Sequence, residues 1–422
     1  MSDAGPSAGI VFGTVVAGNV PLRHELVQSI ANGMMEYFPQ YSWRFARASL
    51  RAAPPSGRPE LVSIPIQRFG VHHVTYPWHG VPAKTNGYRA IFEYARQMQA
   101  KLCLLVDPDQ TGFQKEWIDA LARPGIHSKY DLVTPVNGGS ARHHSISGNL
   151  LAPMIRALFG RGARQPMSGE LAISAKLLNR MLSRHDWDSP VARYTPELWI
   201  AFIAAAERFR VAESAVSPSI LAASRLPISR QTAIAQIVGG LFELLEQYEH
   251  RWPIAGNVLE AVDLFGQPSN GAAAPAGSDG LNYLSSFVQA YVPLQSHWRL
   301  ILTPHTFAEV ELFFHALRSG KPGRYLADAV WVRIVYEVAS AWRRRILPRS
   351  HIVGLFTPLL LGRLGSFLLK TRWMEQSEAD AELARLATYF EALQPAFQNL
   401  WHGRPPCGPA ARALPMRGQE AA

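Results

Sequence analysis

The stretch that most constrains this chain is Lys101-Leu-Cys-Leu-Leu-Val-Asp-Pro-Asp-Gln110. Leu102 to Val106 is a short, unbroken apolar run. A run of that length, ended by Asp and Pro, predicts a strand buried on both faces. Pro108 lacks an N–H and cannot continue a central strand, so the chain turns there. Asp107 and Asp109 are thereby delivered to the carboxyl edge of a buried strand. Open α/β sheets bind ligands outside that edge. Two carboxylates so placed can hold a divalent ion, and the ion can hold a diphosphate. The competing reading is ordinary turn chemistry, with Asp107 capping a following helix and Asp109 solvated.

The preceding loop sharpens the choice. Trp78 to Gly87, which contains Gly80 and Lys84, opens a predicted helix over Tyr88–Gln99 with Ile91, Tyr94, Ala95 and Met98 on one face. A lysine and glycines at a helix start can hold phosphate through backbone N–H groups and one ammonium; an ordinary polar loop is the alternative. Ile10 to Ala17 reads as a strand, followed by a helix over Leu22–Tyr37. Strand, glycine turn and helix is how an α/β nucleotide-binding domain begins. The spaced-glycine dinucleotide fingerprint and the phosphate-loop Gly-Lys-Ser/Thr are both absent. Further strands are expected at 41–50, 61–66, 71–76 and 130–136. A short helix is expected at 115–122 and another at 150–159. The loop after the strand at 130–136 carries His143 and His144, either surface residues or ligands.

From about residue 215, long amphipathic helices dominate, at 231–252, 281–292, 305–318, 325–346, 350–370 and 376–400. Residues 268–280 form a Pro/Gly/Ala/Ser loop, and 403–422 a Pro/Arg/Ala-rich tail expected to be disordered. The expected domains are therefore 1–215, α/β, and 216–402, helical. Trp331, Tyr336, Trp342 and Phe367 read as core.

Only two cysteines occur, Cys103 and Cys407, which excludes a disulfide framework or Cys/His zinc spacing. No secretory signal is evident, and the apolar segment 351–369 is too broken for a convincing span, so a cytoplasmic protein is expected. The net charge of +10 suits anionic partners, yet no nucleic-acid module is present. The one dense basic cluster, Arg343–Arg345, lies between Trp342 and Arg349. It reads as a solvated helix end, with contact to a polyanion or to an anionic membrane surface as the minority view.

In sequence order, the Gly80-Val-Pro-Ala-Lys84 loop, Val106-Asp107-Pro108-Asp109, Arg164-Gln165-Pro166-Met167-Ser168-Gly169-Glu170 and Tyr194–Trp199 resemble the GT-A-type nucleotide-sugar glycosyltransferases. The likeness is greatest to the mannosylglycerate and glucosylglycerate (glucosyl-3-phosphoglycerate) synthases. It implies a Rossmann-like nucleotide-sugar domain followed by a mostly helical one. It implies transfer of a hexose, with retention, from a nucleoside diphosphate sugar to a small glycerate-like anion or another sugar. Gly80, Lys84, Asp107 and Asp109 would bind the donor, and Asp107 and Asp109 would hold Mg²⁺ or Mn²⁺. Arg164, Gln165, Ser168, Gly169 and Glu170 would line the acceptor side. Asp109, Glu170 and Glu197 would act in the reaction. The family's histidine metal ligand has no counterpart in Val211–Leu221, and His144 is the candidate substitute. That gap motivates the alternative of a non-catalytic relative that binds a nucleotide sugar or a protein partner. A homodimer is compatible with either reading.

Overall fold

The structure, a computed structural model, describes residues 9–17, 23–50, 61–66, 69–74, 83–108, 110–137, 146–217, 220–221, 230–252, 260–267, 279–320 and 325–403. Its strands are β1 (Ile10–Ala17), β2 (Trp43–Leu50), β3 (Leu61–Ile66), β4 (Phe69–Val74), β5 (Leu102–Leu105), β6 (Gln110–Thr111), β7 (Leu132–Asn137), β8 (Leu171–Ser174), β9 (Val211–Val216), β10 (Ile220–Leu221) and β11 (Asp263–Phe265). Nine of them make one sheet in the order β11-β9-β7-β8-β5-β1-β2-β4-β3, and β6 and β10 form a separate antiparallel pair. The β5, β1, β2 and β4 strands are parallel, as are β7, β9 and β11. Strand β8 runs antiparallel to both β5 and β7, and β3 antiparallel to β4.

Every residue of β5 is buried, as its unbroken apolar run requires of a strand with both faces covered. One face packs on helices His24–Tyr37 and Glu116–His127. The other packs on helix Lys84–Gln97, and that core continues without a break through helix Pro196–Ala206 into the helical half. Beyond Glu197 in its first turn, Pro196–Ala206 is apolar on all sides and buried, as such a helix must be.

The chain leaves β1 for β2 on one side and returns to β5 on the other. The carboxyl ends of β1 and β5 therefore flank a topological switch point, where open α/β sheets form a crevice. Helix Lys84–Gln97 lies tight over these strands. A Cβ on Gly87 would stand 2.6 Å from Val15, and one on Gly13 would stand 2.4 Å from Ile91.

The helical half consists of Arg230–Gln247, Asp279–Ile301, Pro304–Arg318, Asp328–Arg344, Arg349–Thr371 and Gln376–Trp401. Trp331, Tyr336, Trp342 and Phe367 are all buried, as core residues should be. Arg349–Thr371 is long and apolar enough to cross a membrane, but 83% of its apolar window is buried inside the protein. The two halves are also joined by polar contacts. Trp331 Nε1 donates to the Asn149 carbonyl at 2.7 Å, and Arg363 Nε donates to Asn149 Oδ1 at 2.8 Å. Asn149 lies in a single π-turn, Ser147–Leu151, ahead of helix Ala152–Phe159.

Several boundaries differ from expectation. The helix expected from Tyr88 begins four residues earlier, at Lys84, so Lys84 is a helical residue and not a loop residue. The apparent loop chemistry of Thr85-Asn86-Gly87 is overridden by packing: the Thr85 hydroxyl donates to the Ala192 carbonyl, and Gly87 permits the close approach to Val15. The strand expected at 71–76 is Phe69–Val74. Strands do not end at about 215, because β11, from the helical half, adds a parallel edge to the sheet. The loop at 268–278 and the tail at 404–422 lie outside the described residues.

Candidate active site

The site lies at the carboxyl edge of β5 and β1. Three elements converge there. Asp107 lies two residues past the end of β5, after Val106. Lys84 opens helix Lys84–Gln97, whose N-cap, Ala83, offers no side-chain hydrogen bond and whose first turn holds no acidic residue. Such a helix start leaves backbone N–H groups and the positive end of the dipole available to an anion. The third element is β8. Because it runs antiparallel to β5, with Leu171 opposite Leu105, its entry segment Ser168-Gly169-Glu170 arrives beside Asp107. The approach is close: a Cβ on Gly169 would lie 3.1 Å from both Asp107 Cβ and Oδ2.

Lys84 is the hub. Its Nζ is 2.6 Å from Glu197 Oε1 and 3.6 Å from Asp107 Oδ2. Glu197 stands in the first turn of helix Pro196–Ala206 and also accepts a hydrogen bond from the Tyr88 hydroxyl at 2.7 Å. Burial alone would lower the Lys84 pKa. The charge of Glu197, with Tyr88 and Asp107, outweighs burial and holds the ammonium well above its usual value. The Tyr88 phenol is pushed well up by burial and by Glu197. Both groups therefore keep their protons across the physiological range.

Glu170 behaves differently. It is 3% exposed, and Ser168 Oγ donates to its Oε2 at 3.3 Å. Its Oε1 is buried with no hydrogen-bond partner among the described residues. Burial, then repulsion from Asp107, raises its pKa to about 7, against the pull of Lys84 and Ser168. A carboxyl titrating near neutrality beside a second carboxylate is able to exchange a proton or accept a cation.

The structure thus unites Lys84, Asp107, Ser168, Gly169, Glu170 and Glu197. Gln165 is buried nearby in sequence, its carbonyl accepting from the Ser168 N–H at 3.3 Å. Arg164 is engaged elsewhere. Its backbone N–H and its Nε meet Glu213 on β9 at 2.5 and 2.6 Å. Gly80, Asp109, His143 and His144 lie outside the described residues. Among the described residues no group of three or more His, Cys, Asp or Glu side chains is arranged to hold a metal. Sequence reasoning missed Tyr88. The usable signal was its spacing: with the helix starting at Lys84, a residue four further on shares its face.

The donor set bears on the ion expected here. Asp107 and Glu170 present hard carboxylate oxygens, and the unpartnered Oε1 of Glu170 is the kind of buried acceptor a cation satisfies. Mg²⁺ commonly takes one or two carboxylates and fills its other positions with water and phosphate oxygens. The residues present fit such an ion.

No protein-family model matches the chain, and no curated protein matches it. Among solved structures it is similar to glucosyl-3-phosphoglycerate synthase from Mycobacterium tuberculosis. One such structure shares 14% identity over 57% of this chain and 81% of that chain, with a TM-score of 0.37. A second, with Mn²⁺, UDP-glucose and phosphoglyceric acid, shares 13% over 57% and 80%, with a TM-score of 0.36. A third, with Mg²⁺ and UDP, shares 13% over the same fractions, with a TM-score of 0.37. At these values the likeness does not bear on the chemistry of the site, which is read from its own residues.

Proposed function

We propose that this chain is a GT-A-type glycosyltransferase that moves a hexose from a nucleoside diphosphate sugar to a small anionic acceptor of the glycerate type. One observation carries the reading. At the switch point of the sheet, a lysine in the first turn of an uncapped helix stands between Asp107 and Glu197. That is a site for a group with two phosphates, met by an ammonium, by free backbone N–H groups and by a carboxylate-held cation.

Each residue has a stated task. The helix start and Lys84 take the diphosphate and offset its charge as the sugar departs. Asp107, with Glu170 beside it, would hold Mg²⁺ or Mn²⁺; when bound, that ion stabilises the leaving diphosphate. Tyr88 fixes Glu197 through its hydroxyl and so fixes the resting position of Lys84. Ser168 and Gly169 shape the wall next to Asp107, and the lack of a side chain on Gly169 lets that wall approach the carboxylate closely. Glu170 is poised to exchange a proton near pH 7.

The test is a product screen. Purified protein is mixed with a panel of nucleoside diphosphate hexoses and with glycerate-type acceptors, with Mg²⁺ or Mn²⁺, and release of nucleoside diphosphate is followed. Acceptor-dependent release supports transfer. Donor binding without release under any acceptor favours the non-catalytic alternative.

A further inference from the structure

At the crevice of β1 and β5, one ammonium serves three acidic side chains. Lys84 Nζ is hydrogen-bonded to Glu197 Oε1 at 2.6 Å, but it stands 3.6 Å from Asp107 Oδ2, beyond hydrogen-bond length. The Tyr88 ring lies 5.4 Å from the same Nζ. The lysine is therefore parked on Glu197 and leans its charge on Asp107. Glu170, one residue beyond the Gly169 contact with Asp107, is 3% exposed and keeps Oε1 without a hydrogen-bond partner among the described residues. A single tethered cation leaves this set with a buried acceptor unfilled.

The parts around Lys84 differ in their freedom to move. The backbone beneath it is pinned, because the Thr85 hydroxyl donates to the Ala192 carbonyl and Gly87 packs against Val15. The side chain itself is partly exposed and ends a flexible four-carbon stem, so the ammonium can swing while the helix start stays in place. Glu197 tolerates that departure, since the same Oε1 keeps the Tyr88 hydroxyl at 2.7 Å. A divalent cation on Asp107 and Glu170 would meet the parked ammonium at close range, in partly buried surroundings that strengthen the repulsion. A diphosphate reverses the balance. It offers the ammonium a stronger anion, and it offers the cation further oxygens.

We infer that Lys84 is a tethered counter-ion that keeps the Asp107–Glu170 pair from taking a divalent cation until a diphosphate draws the ammonium away, so that cation and diphosphate bind as a coupled pair. Glu197 is the resting acceptor of that ammonium, and Tyr88 holds Glu197 ready for its return. On the transferase reading, on which this role rests, the diphosphate is that of the sugar donor. The two functions of Lys84 then have opposite signs. Its loss weakens the hold on a diphosphate and tightens the hold on a bare cation.

The test titrates the full chain with Mn²⁺ and follows the free ion by electron paramagnetic resonance, first alone and then with UDP, GDP and ADP in turn. Protein-free controls account for Mn²⁺ held by the nucleotide itself. Wild type should bind Mn²⁺ alone weakly and gain affinity with at least one diphosphate. Lys84→Met should bind Mn²⁺ alone about tenfold or more tightly than wild type, and the factor gained from the diphosphate should shrink by about as much, the usual scale of coupling between two ligands. Lys84→Met with Glu197→Gln should behave the same way, and it leaves no unpaired buried charge that would unfold the single variant. Adding Asp107→Asn to Lys84→Met should abolish the gain in bare Mn²⁺ affinity. The counter-ion role is overturned if both Lys84 variants bind Mn²⁺ alone no more tightly than wild type, if diphosphate raises the affinity of all three proteins by the same factor or by none, or if the gain survives Asp107→Asn. The transfer reading fails separately: an empty product screen beside these Mn²⁺ results removes transfer and leaves the counter-ion in place.

Discussion

Two buried glutamates of the same sheet, one inside β9 and one at the entry to β8, meet their surroundings in opposite ways. Glu213, on β9, is 1% exposed and has both oxygens engaged by Arg164. Glu170, at the entry to β8, is 3% exposed and has one oxygen with no partner among the described residues. The first is an ion pair that fixes the segment leading into the second. The second carries a charge problem that the fold leaves open, next to Asp107 and within reach of the field of Lys84. A buried carboxyl left unsatisfied destabilises a protein, and on the function proposed above that cost is offset by the cation or proton that Glu170 would take.

That contrast can be broken experimentally, and the largest effect is expected in turnover. Lys84→Met should cut sugar transfer by about 10²–10³-fold, the scale of losing a main charge stabiliser, while circular dichroism stays native. Turnover unchanged from wild type would remove Lys84 from the site. On the other side of the comparison, Glu213→Ala should lower unfolding free energy by about 2 kcal/mol in denaturant titration, because it removes the acceptor of two Arg164 hydrogen bonds, while the half-exposed Arg164 side chain can turn to water. Its transfer rate, measured well below the new melting point, should stay near wild type.

Glu170 predicts a pH effect of a particular sign. Its folded pKa of about 7 lies above its ordinary value of 4.5, so the folded state binds more protons between the two. Stability without divalent ion should therefore fall as pH rises from about 4.5 to about 7, and level off above. The loss is about 3 kcal/mol at most, from 1.36 kcal/mol per unit. Glu170→Gln should flatten that slope, and an unaltered slope would assign it to other groups. The smallest effect is expected for Tyr88→Phe, which removes one hydrogen bond to Glu197 and should cost about 1 kcal/mol of stability. It should also raise KM for the donor more than it changes kcat, since Tyr88 only positions Glu197 and Lys84.

Much of this was legible in the chain. The apolar run 102–106 reads as a buried strand and Pro108 bars its continuation, so the place of Asp107 followed from local chemistry, with the strand itself ending at Leu105. Lys84, Glu170 and Glu197 were singled out through motif order, and the fold brings all three to Asp107. Arg164 was expected to face an acceptor, yet it faces Glu213 49 residues away. No local pattern encodes a pairing over that distance. The reversed direction of β8 was equally hidden, because Leu171–Ser174 is too short to declare its orientation, although that reversal is what carries Glu170 to the site. The start of helix Lys84–Gln97 was masked by Thr85-Asn86-Gly87, turn-prone residues that tertiary packing holds in a helix.

The central claim is that Lys84 and Asp107 at the β1–β5 edge hold a diphosphate. Calorimetric titration of wild type, Lys84→Met and Asp107→Asn with a panel of nucleoside diphosphate sugars, each with and without Mn²⁺, tests it directly. The account predicts that wild type binds at least one donor more tightly with Mn²⁺, that Asp107→Asn loses the metal enhancement, and that Lys84→Met weakens binding about tenfold or more. Equal affinities in all three proteins, with or without the metal, would contradict it.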